Sequence, residues 1–252
     1  MKTIKRKSLL YKTKVEYGDY TMNHVLGCAH GCNYPCYAYL LAKRFGNISS
    51  YSDWLEPRLV ENTIELLDKE LPKLHQKINS VHLCFTSDPF MYGYDEIKNM
   101  TIEAIKKINS FGIKCTVLTK GILPDELLAL SPINEYGITL VSLSEEYREK
   151  FEPYSSTYIE RIKSLYNLHT NGLKTWVSIE PYPTPNIIEQ NIMDILEKIS
   201  FTNKIIFGRT NYSKLISAYK EHRLFYNQEA KKVIQYCKKN KIDFHIKKGT
   251  IS

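Results

Sequence analysis

The stretch Gly27-Cys28-Ala29-His30-Gly31-Cys32-Asn33-Tyr34-Pro35-Cys36 sets three cysteines at four-residue intervals, directly after an apolar run near 22–26. Gly27 precedes Cys28 and Gly31 precedes Cys32, which allows a tight loop to wrap an object. Three thiolates leave one site of a tetrahedral zinc, or of a cubane iron–sulfur cluster, without a cysteine ligand. Zinc more often shows two cysteine pairs or a histidine at ligand spacing. His24 and His30 keep zinc open, and chance clustering is the third reading. The other cysteines, Cys84, Cys115 and Cys237, are scattered. Cys84 and Cys115 sit in apolar runs, where a free thiol behaves as a small core hydrophobe. A disulfide framework does not suit a chain of 252 residues in which no secretion signal is read.

To either side of the loop, short apolar runs recur near 22–26, 80–86, 113–119, 137–143, 174–180, 203–207 and 242–246. Amphipathic stretches separate them near 37–45, 58–73, 95–110, 124–130, 157–171, 187–200 and 227–240. Ile97, Thr101, Ala104, Ile105 and Ile108 recur at three and four residues, the period of a helix face. Lys114-Cys115-Thr116-Val117-Leu118 is short and β-branched, as a strand buried on both faces should be. About six βα units in succession predict an α/β fold, a partial (β/α)6-type TIM barrel with parallel strands. One domain is expected over 1–252, with a core at about 20–210 and a C-terminal extension, 211–252, closing the barrel. In such folds the chemistry collects at the C-terminal ends of the strands. The cysteine loop follows the first of them.

Composition excludes whole classes. The chain is 43% hydrophobic and 25% charged, and no apolar run approaches the ~18 residues of a bilayer span. A cytoplasmic, monomeric protein away from membranes is expected. Thirty-five basic against 27 acidic residues give a net charge of +8, which leaves a nucleic-acid partner open. The excess concentrates in Met1 to Lys14 and Lys231 to Lys248, where a solvated tail or helix face is the plain explanation.

The cysteine loop resembles the radical S-adenosylmethionine (SAM) superfamily, whose signature is Cys-x3-Cys-x2-Cys after the first barrel strand. The flanking residues, through Tyr37-Ala38, look like the spore photoproduct lyase-like branch. Pro35 lengthens the second gap to three residues, a variant Cys-x3-Cys-x3-Cys form similar to the radical SAM mobile pair proteins. Further matches fall at successive strand ends: Thr86-Ser87-Asp88-Pro89, Leu118-Thr119-Lys120, Val141-Ser142-Leu143-Ser144, Phe151-Glu152-Pro153 and Ile179-Glu180-Pro181.

The resemblance implies that Cys28, Cys32 and Cys36 hold a [4Fe–4S] cluster whose fourth iron takes SAM, with a flavodoxin- or ferredoxin-like electron donor. Reductive cleavage of SAM would give a 5′-deoxyadenosyl radical that abstracts hydrogen from a substrate. By the same resemblance, Ser87 and Asp88 meet the SAM amino group, Lys120 its carboxylate, Ser142 and Ser144 ribose or carboxylate oxygens, and Tyr34 or Tyr37 the adenine. Glu180 is a candidate for ribose or substrate, its plain alternative a salt bridge. Cys84, Tyr92 and Tyr94 are candidates for the radical step. In a continued strand, Cys84 would point away from the family's reactive face, as a core thiol. Glu152 also reads simply as a carboxylate at a helix start, and Arg209 as an anion contact or a surface arginine. The substrate is expected to be a nucleic-acid lesion, a modified nucleotide or a protein partner. Two rivals stand beside this reading: a SAM enzyme breaking a different carbon–sulfur bond, and a zinc-bearing or apo nucleic-acid-binding module without catalysis.

Overall fold

A computed structural model describes residues 1–252 apart from positions 17 and 212. The N-terminal segment holds strands β1 (Lys2–Ile4), β2 (Leu10–Lys12), β3 (Tyr20–Met22) and β4 (Val25–Leu26). The cysteine loop then leads into helices α1 (Tyr37–Arg44) and α2 (Tyr51–Trp54), strand β5 (Arg58–Val60) and helix α3 (Thr63–Leu74). Alternation follows: β6 (Ser80–Leu83), α4 (Asp95–Asn109), β7 (Lys114–Thr119), β8 (Glu135–Thr139), α5 (Glu145–Phe151), α6 (Tyr158–Thr170) and β9 (Lys174–Tyr182). The chain ends with α7 (Ile192–Lys198), β10 (Lys204–Arg209), α8 (Lys214–Ala218), α9 (His222–Asn240) and β11 (Asp243–Ile246).

The main sheet has the order β11-β10-β9-β8-β7-β6-β3-β2. Its neighbours are parallel except for the antiparallel β2–β3 pair at one edge. The expected parallel α/β architecture is therefore present. Helices supply the outer layer, where Ile105 and Ile108 of α4, Leu165 and Leu168 of α6, Leu196 of α7 and Val233 of α9 are fully or almost fully buried. They pack into one core with Val81, Val117, Ile138, Val177 and Ile205 of the strands, the apolar burial that drives the fold.

Four local expectations need correction. The run at 22–26 is two strands, because the chain changes sheets at Asn23–His24. The Asn23 side chain accepts from Thr86 N at 2.9 Å and His24 O accepts from Val60 N at 2.9 Å. β4 therefore pairs with β5 in a small second sheet, order β1-β5-β4. Arg58–Val60, expected in a helix, is the middle strand of that sheet, and α3 begins only at Thr63. The basic N-terminus is not a free tail: Leu9 and Leu10 are buried, and their amides donate to the Glu70 carboxylate at 2.9 and 2.7 Å. The stretch near 124–130 forms a short 3-10 turn at Asp125–Ala129 rather than an α-helix. Among the described residues no helix is long and apolar enough to cross a membrane.

Candidate active site

Between β4 and α1 the cysteine loop runs along the C-terminal edge of the sheet, fastened mainly by its backbone. Cys28 N donates to Trp54 O at 2.9 Å, Asn33 N to Phe151 O at 2.9 Å, and Tyr51 Oη to Cys32 O at 2.9 Å. Gly27 has φ +91°, and a Cβ there would stand 2.8 Å from Trp54 O; at Gly31, φ +65°, it would stand 2.6 Å from the Tyr154 ring. No other residue type fits both demands. Cys36 is the backbone N-cap of α1. All six cysteines are free thiols, and Cys28, Cys32 and Cys36 are half-buried.

Those three thiols line a cavity of about 480 Å³ together with residues from the ends of β6, β7, β8, β9 and β10. Asp88 ties the cysteine loop to two strands. Its carboxylate pairs with His30 Nε2 at 2.8 Å and accepts from Thr119 Oγ1 at 2.7 Å and from the amides of Lys120 and Phe90 at 2.8 Å. Burial raises the affinity of Asp88 for a proton, yet His30 and the donors from Thr119 and Lys120 outweigh it and hold the carboxyl below its usual range.

Lys120 reaches the loop from the end of β7. Its Nζ lies 3.8 Å from Cys32 Sγ and 3.5 Å from Glu152 Oε1, and it donates to the Tyr34 hydroxyl. Burial disfavours its charge, but Cys32, Glu152 and Cys36 prevail and keep the amine protonated beyond the usual lysine range. Glu152 in turn pairs with Arg161 Nη2 at 2.8 Å, both side chains at 0% exposure. Expected at a helix start, Glu152 lies instead just after the end of α5, as an interior ion-pair partner. Burial pushes the Cys32 thiol up to about 11, Glu152 and Cys36 adding to the rise against the pull of Lys120.

The remaining candidates divide by location. The Ser87 hydroxyl donates to Gly27 O, and the Tyr37 hydroxyl to Phe85 O; Ser87, Tyr37 and Tyr34 all line the cavity. Cys84 lines it too. β6 stops at Leu83, and Cys84 takes a left-handed φ of 57°, so strand alternation does not extend to it. Its Sγ sits 3.3 Å from Nδ1 of His24, an imidazole that burial and Arg6 push down to about 3. Glu180 lines the opposite wall, 3.7 Å from Lys247. Ser142 and Ser144 lie in the β8–α5 turn outside the cavity lining, where Ser142 Oγ accepts from Ser144 N at 3.1 Å and Ser144 Oγ caps α5 at Tyr147 N, 3.2 Å away. Tyr92 and Tyr94 line a separate cavity of about 240 Å³ with Lys98 and Pro124.

Residues 22–199 match the Radical SAM superfamily, along a span that holds the cysteine loop and the ends of β6, β7, β8 and β9. The chain belongs to the radical SAM superfamily. A curated relative, the uncharacterized protein ORF301 of Acidianus two-tailed virus, is 25% identical over 195 residues. The match covers 71% of this chain and 61% of the relative's length. Among solved structures, spore photoproduct lyase complexed with dinucleoside spore photoproduct superposes with a TM-score of 0.70 at 16% identity, covering 96% of this chain and 80% of that one. Streptococcus suis SuiB bound to S-adenosylmethionine gives 0.54 at 14% identity, over 90% and 46%. At these identities the likeness is one of fold.

Several cavity residues of this radical SAM chain carried no signal in the sequence. Thr139 and Ser178 enter from β8 and β9, His82 from β6, and Glu16 and Lys248 from segments at opposite ends of the chain. Burial pushes the His82 imidazole down to about 4, with Nδ1 2.8 Å from Thr116 Oγ1. Glu16 joins the two edges of the sheet: its carboxylate pairs with His245 Nε2 at 2.7 Å and accepts from Lys248 N at 3.0 Å.

Proposed function

We propose that this enzyme binds a [4Fe–4S] cluster through Cys28, Cys32 and Cys36, with SAM in the adjoining cavity and an unidentified hydrogen-donating substrate against the far wall. When bound, the cluster supplies one electron, from a flavodoxin- or ferredoxin-like carrier, that breaks SAM into methionine and a 5′-deoxyadenosyl radical. The observation that carries this reading is three free thiols that line one cavity at the strand ends.

The protein's share is position and exclusion. The Asp88 carboxylate fixes His30 and the Lys120 backbone, so the cysteine loop and the end of β7 move as one body. The Lys120 ammonium, held by Glu152 and Tyr34, offsets thiolate charge at Cys32 and stands at the cavity wall within reach of a carboxylate. Ser87 supplies a hydroxyl at the same wall. Tyr37 and Phe85, edge to face with centroids 6.4 Å apart, offer aromatic surface to a purine. Apolar walls at Leu118, Ala38 and Trp54 keep water from the reacting atoms.

Charge supports a substrate class: Arg209, Lys247 and Lys248 line the far wall against the two carboxylates of Glu16 and Glu180, a small positive excess that favours a nucleic-acid lesion or modified nucleotide. The test is product analysis after anaerobic reconstitution, reduction and incubation with SAM. 5′-Deoxyadenosine is the expected product. Methylthioadenosine in its place would establish cleavage of another carbon–sulfur bond and overturn the proposal.

A further inference from the structure

We propose that a second cavity, next to the cysteine cavity, is a phosphate-binding site for the substrate, the phosphate belonging to a nucleotide or an oligonucleotide. The proposal rests on the radical reading only in giving that phosphate to the substrate of the radical reaction. The cavity, of about 340 Å³, lies beyond the end of β10 and is lined by Arg209, Asn211, Ser213, Lys214, Ser217 and His222 among others, with no carboxylate. Arg209 and Asn211 also line the cysteine cavity, so one ligand can occupy both.

Three observations point to an anion here. First, the register between β10 and β9 shifts between Phe207 and Arg209. Such an irregularity re-aims a side chain at a strand end, and Arg209 faces both cavities. Second, its Nε donates to Asn211 Oδ1 at 3.0 Å, which orients the guanidinium while engaging one of its five N–H donors. Third, the carboxylates nearest the shared rim already have cationic or amide partners. Glu180 faces Lys247 at 3.7 Å, and Glu16 takes His245 and Lys248 N. Among the described residues neither Arg209 nor Lys214 has a carboxylate within ion-pair distance.

Two positive charges, Arg209 oriented by Asn211 and Lys214 exposed beside it, with hydroxyl and amide donors around a concavity without acids, match the oxygens of a phosphate. SAM carries no phosphate, so the group bound here enters with the substrate. Lys247 and Lys248 continue the positive surface along the rim of the cysteine cavity. A ligand with phosphates on both sides of its reacting nucleoside would therefore meet a cation at each.

The test is equilibrium binding to the anaerobic holoenzyme, followed by fluorescence anisotropy of labelled single-stranded oligothymidylate. Lys214→Gln and Arg209→Gln are each expected to weaken binding about tenfold. Each should also flatten the dependence of log affinity on log salt, by about 0.7 for every phosphate left without its cation. Arg209→Lys, which keeps the charge, should recover part of the affinity, and thermal unfolding of each variant controls for folding. Competition identifies the source: displacement by AMP points to a nucleotide monoester, and displacement by unlabelled oligothymidylate alone to a diester backbone. Unchanged affinity and salt slope in both Gln variants would overturn the proposal, as would equal binding of an uncharged methylphosphonate oligomer. The readout needs no turnover. A chain that fails to cleave SAM yet shows this weakened binding in the variants refutes the radical reading and leaves the phosphate site standing.

Discussion

The two walls of the cavity are built on opposite plans. On the cysteine side, charged groups are sunk and mutually committed: Asp88 to His30, and Lys120 to Glu152, itself held by Arg161. On the side of β9 to β11 the charges are half-exposed and loosely engaged, with Glu180 3.7 Å from Lys247 and Arg209 held by a single amide oxygen among the described residues. A buried, fully partnered wall arrives at its geometry before any ligand binds. A wet, charged wall keeps capacity for a ligand. On the proposed function, the first plan suits the cofactors and the second the substrate.

Substitutions on each side put that contrast at risk. The largest effect is expected at Cys28, Cys32 or Cys36: any one changed to Ala removes 5′-deoxyadenosine formation altogether while far-UV circular dichroism is retained, because the thiols sit on a loop held by backbone hydrogen bonds. Next comes Glu152→Ala, which leaves the Arg161 charge in the core without its carboxylate, held only by hydrogen bonds to Ser156 O, Thr139 O and Ser155 Oγ. It should cost about 3–5 kcal/mol in chemical denaturation. A loss below about 1 kcal/mol would mean that the cysteine-side wall is not interlocked as described.

The buried histidines give a pH signature of similar size. His82 is held down to about 4, and His24 to about 3, both chiefly by burial. The unfolded chain therefore takes up these protons first, near pH 6.5. The stability they confer is whole above about 6.5 and is lost as pH falls toward about 4 for His82 and about 3 for His24. For His82 the loss is about 3 kcal/mol. Denaturation curves for His82→Gln between pH 7 and 4 should be correspondingly flatter.

On the opposite wall the smallest effect is expected. Glu16→Gln weakens a partly exposed pair with His245 and should cost no more than about 1 kcal/mol. The cost should shrink further in high salt. An effect as large as that of Glu152→Ala would erase the contrast between the walls.

What could be read from the sequence follows the range of the interactions. The alternation of β6, α4 and β7 was legible because Ile97 to Ile108 and Lys114 to Leu118 carry their period locally. The cysteine loop was legible as spacing, with Asp88 and Lys120 beside it through resemblance. The interlock was not. Asp88 meets His30 across 58 residues, and Glu16 meets Lys248 across 232, and no local pattern announces such partners. β5 was hidden because its three residues join an amphipathic run that continues into α3. Cys84 misled for another reason: the alternation argument assumes that a strand continues, and β6 ends one residue earlier.

A cluster on the cysteine wall, adjoining SAM, is the claim on which the rest depends. Electron paramagnetic resonance of the anaerobically reconstituted, reduced protein tests it, with iron, sulfide and zinc measured on the same sample. Equal iron and sulfide are expected, together with a reduced-cluster signal whose g values shift on addition of SAM, and both should vanish in Cys32→Ala. Zinc alone, or a cluster signal indifferent to SAM, would contradict the claim.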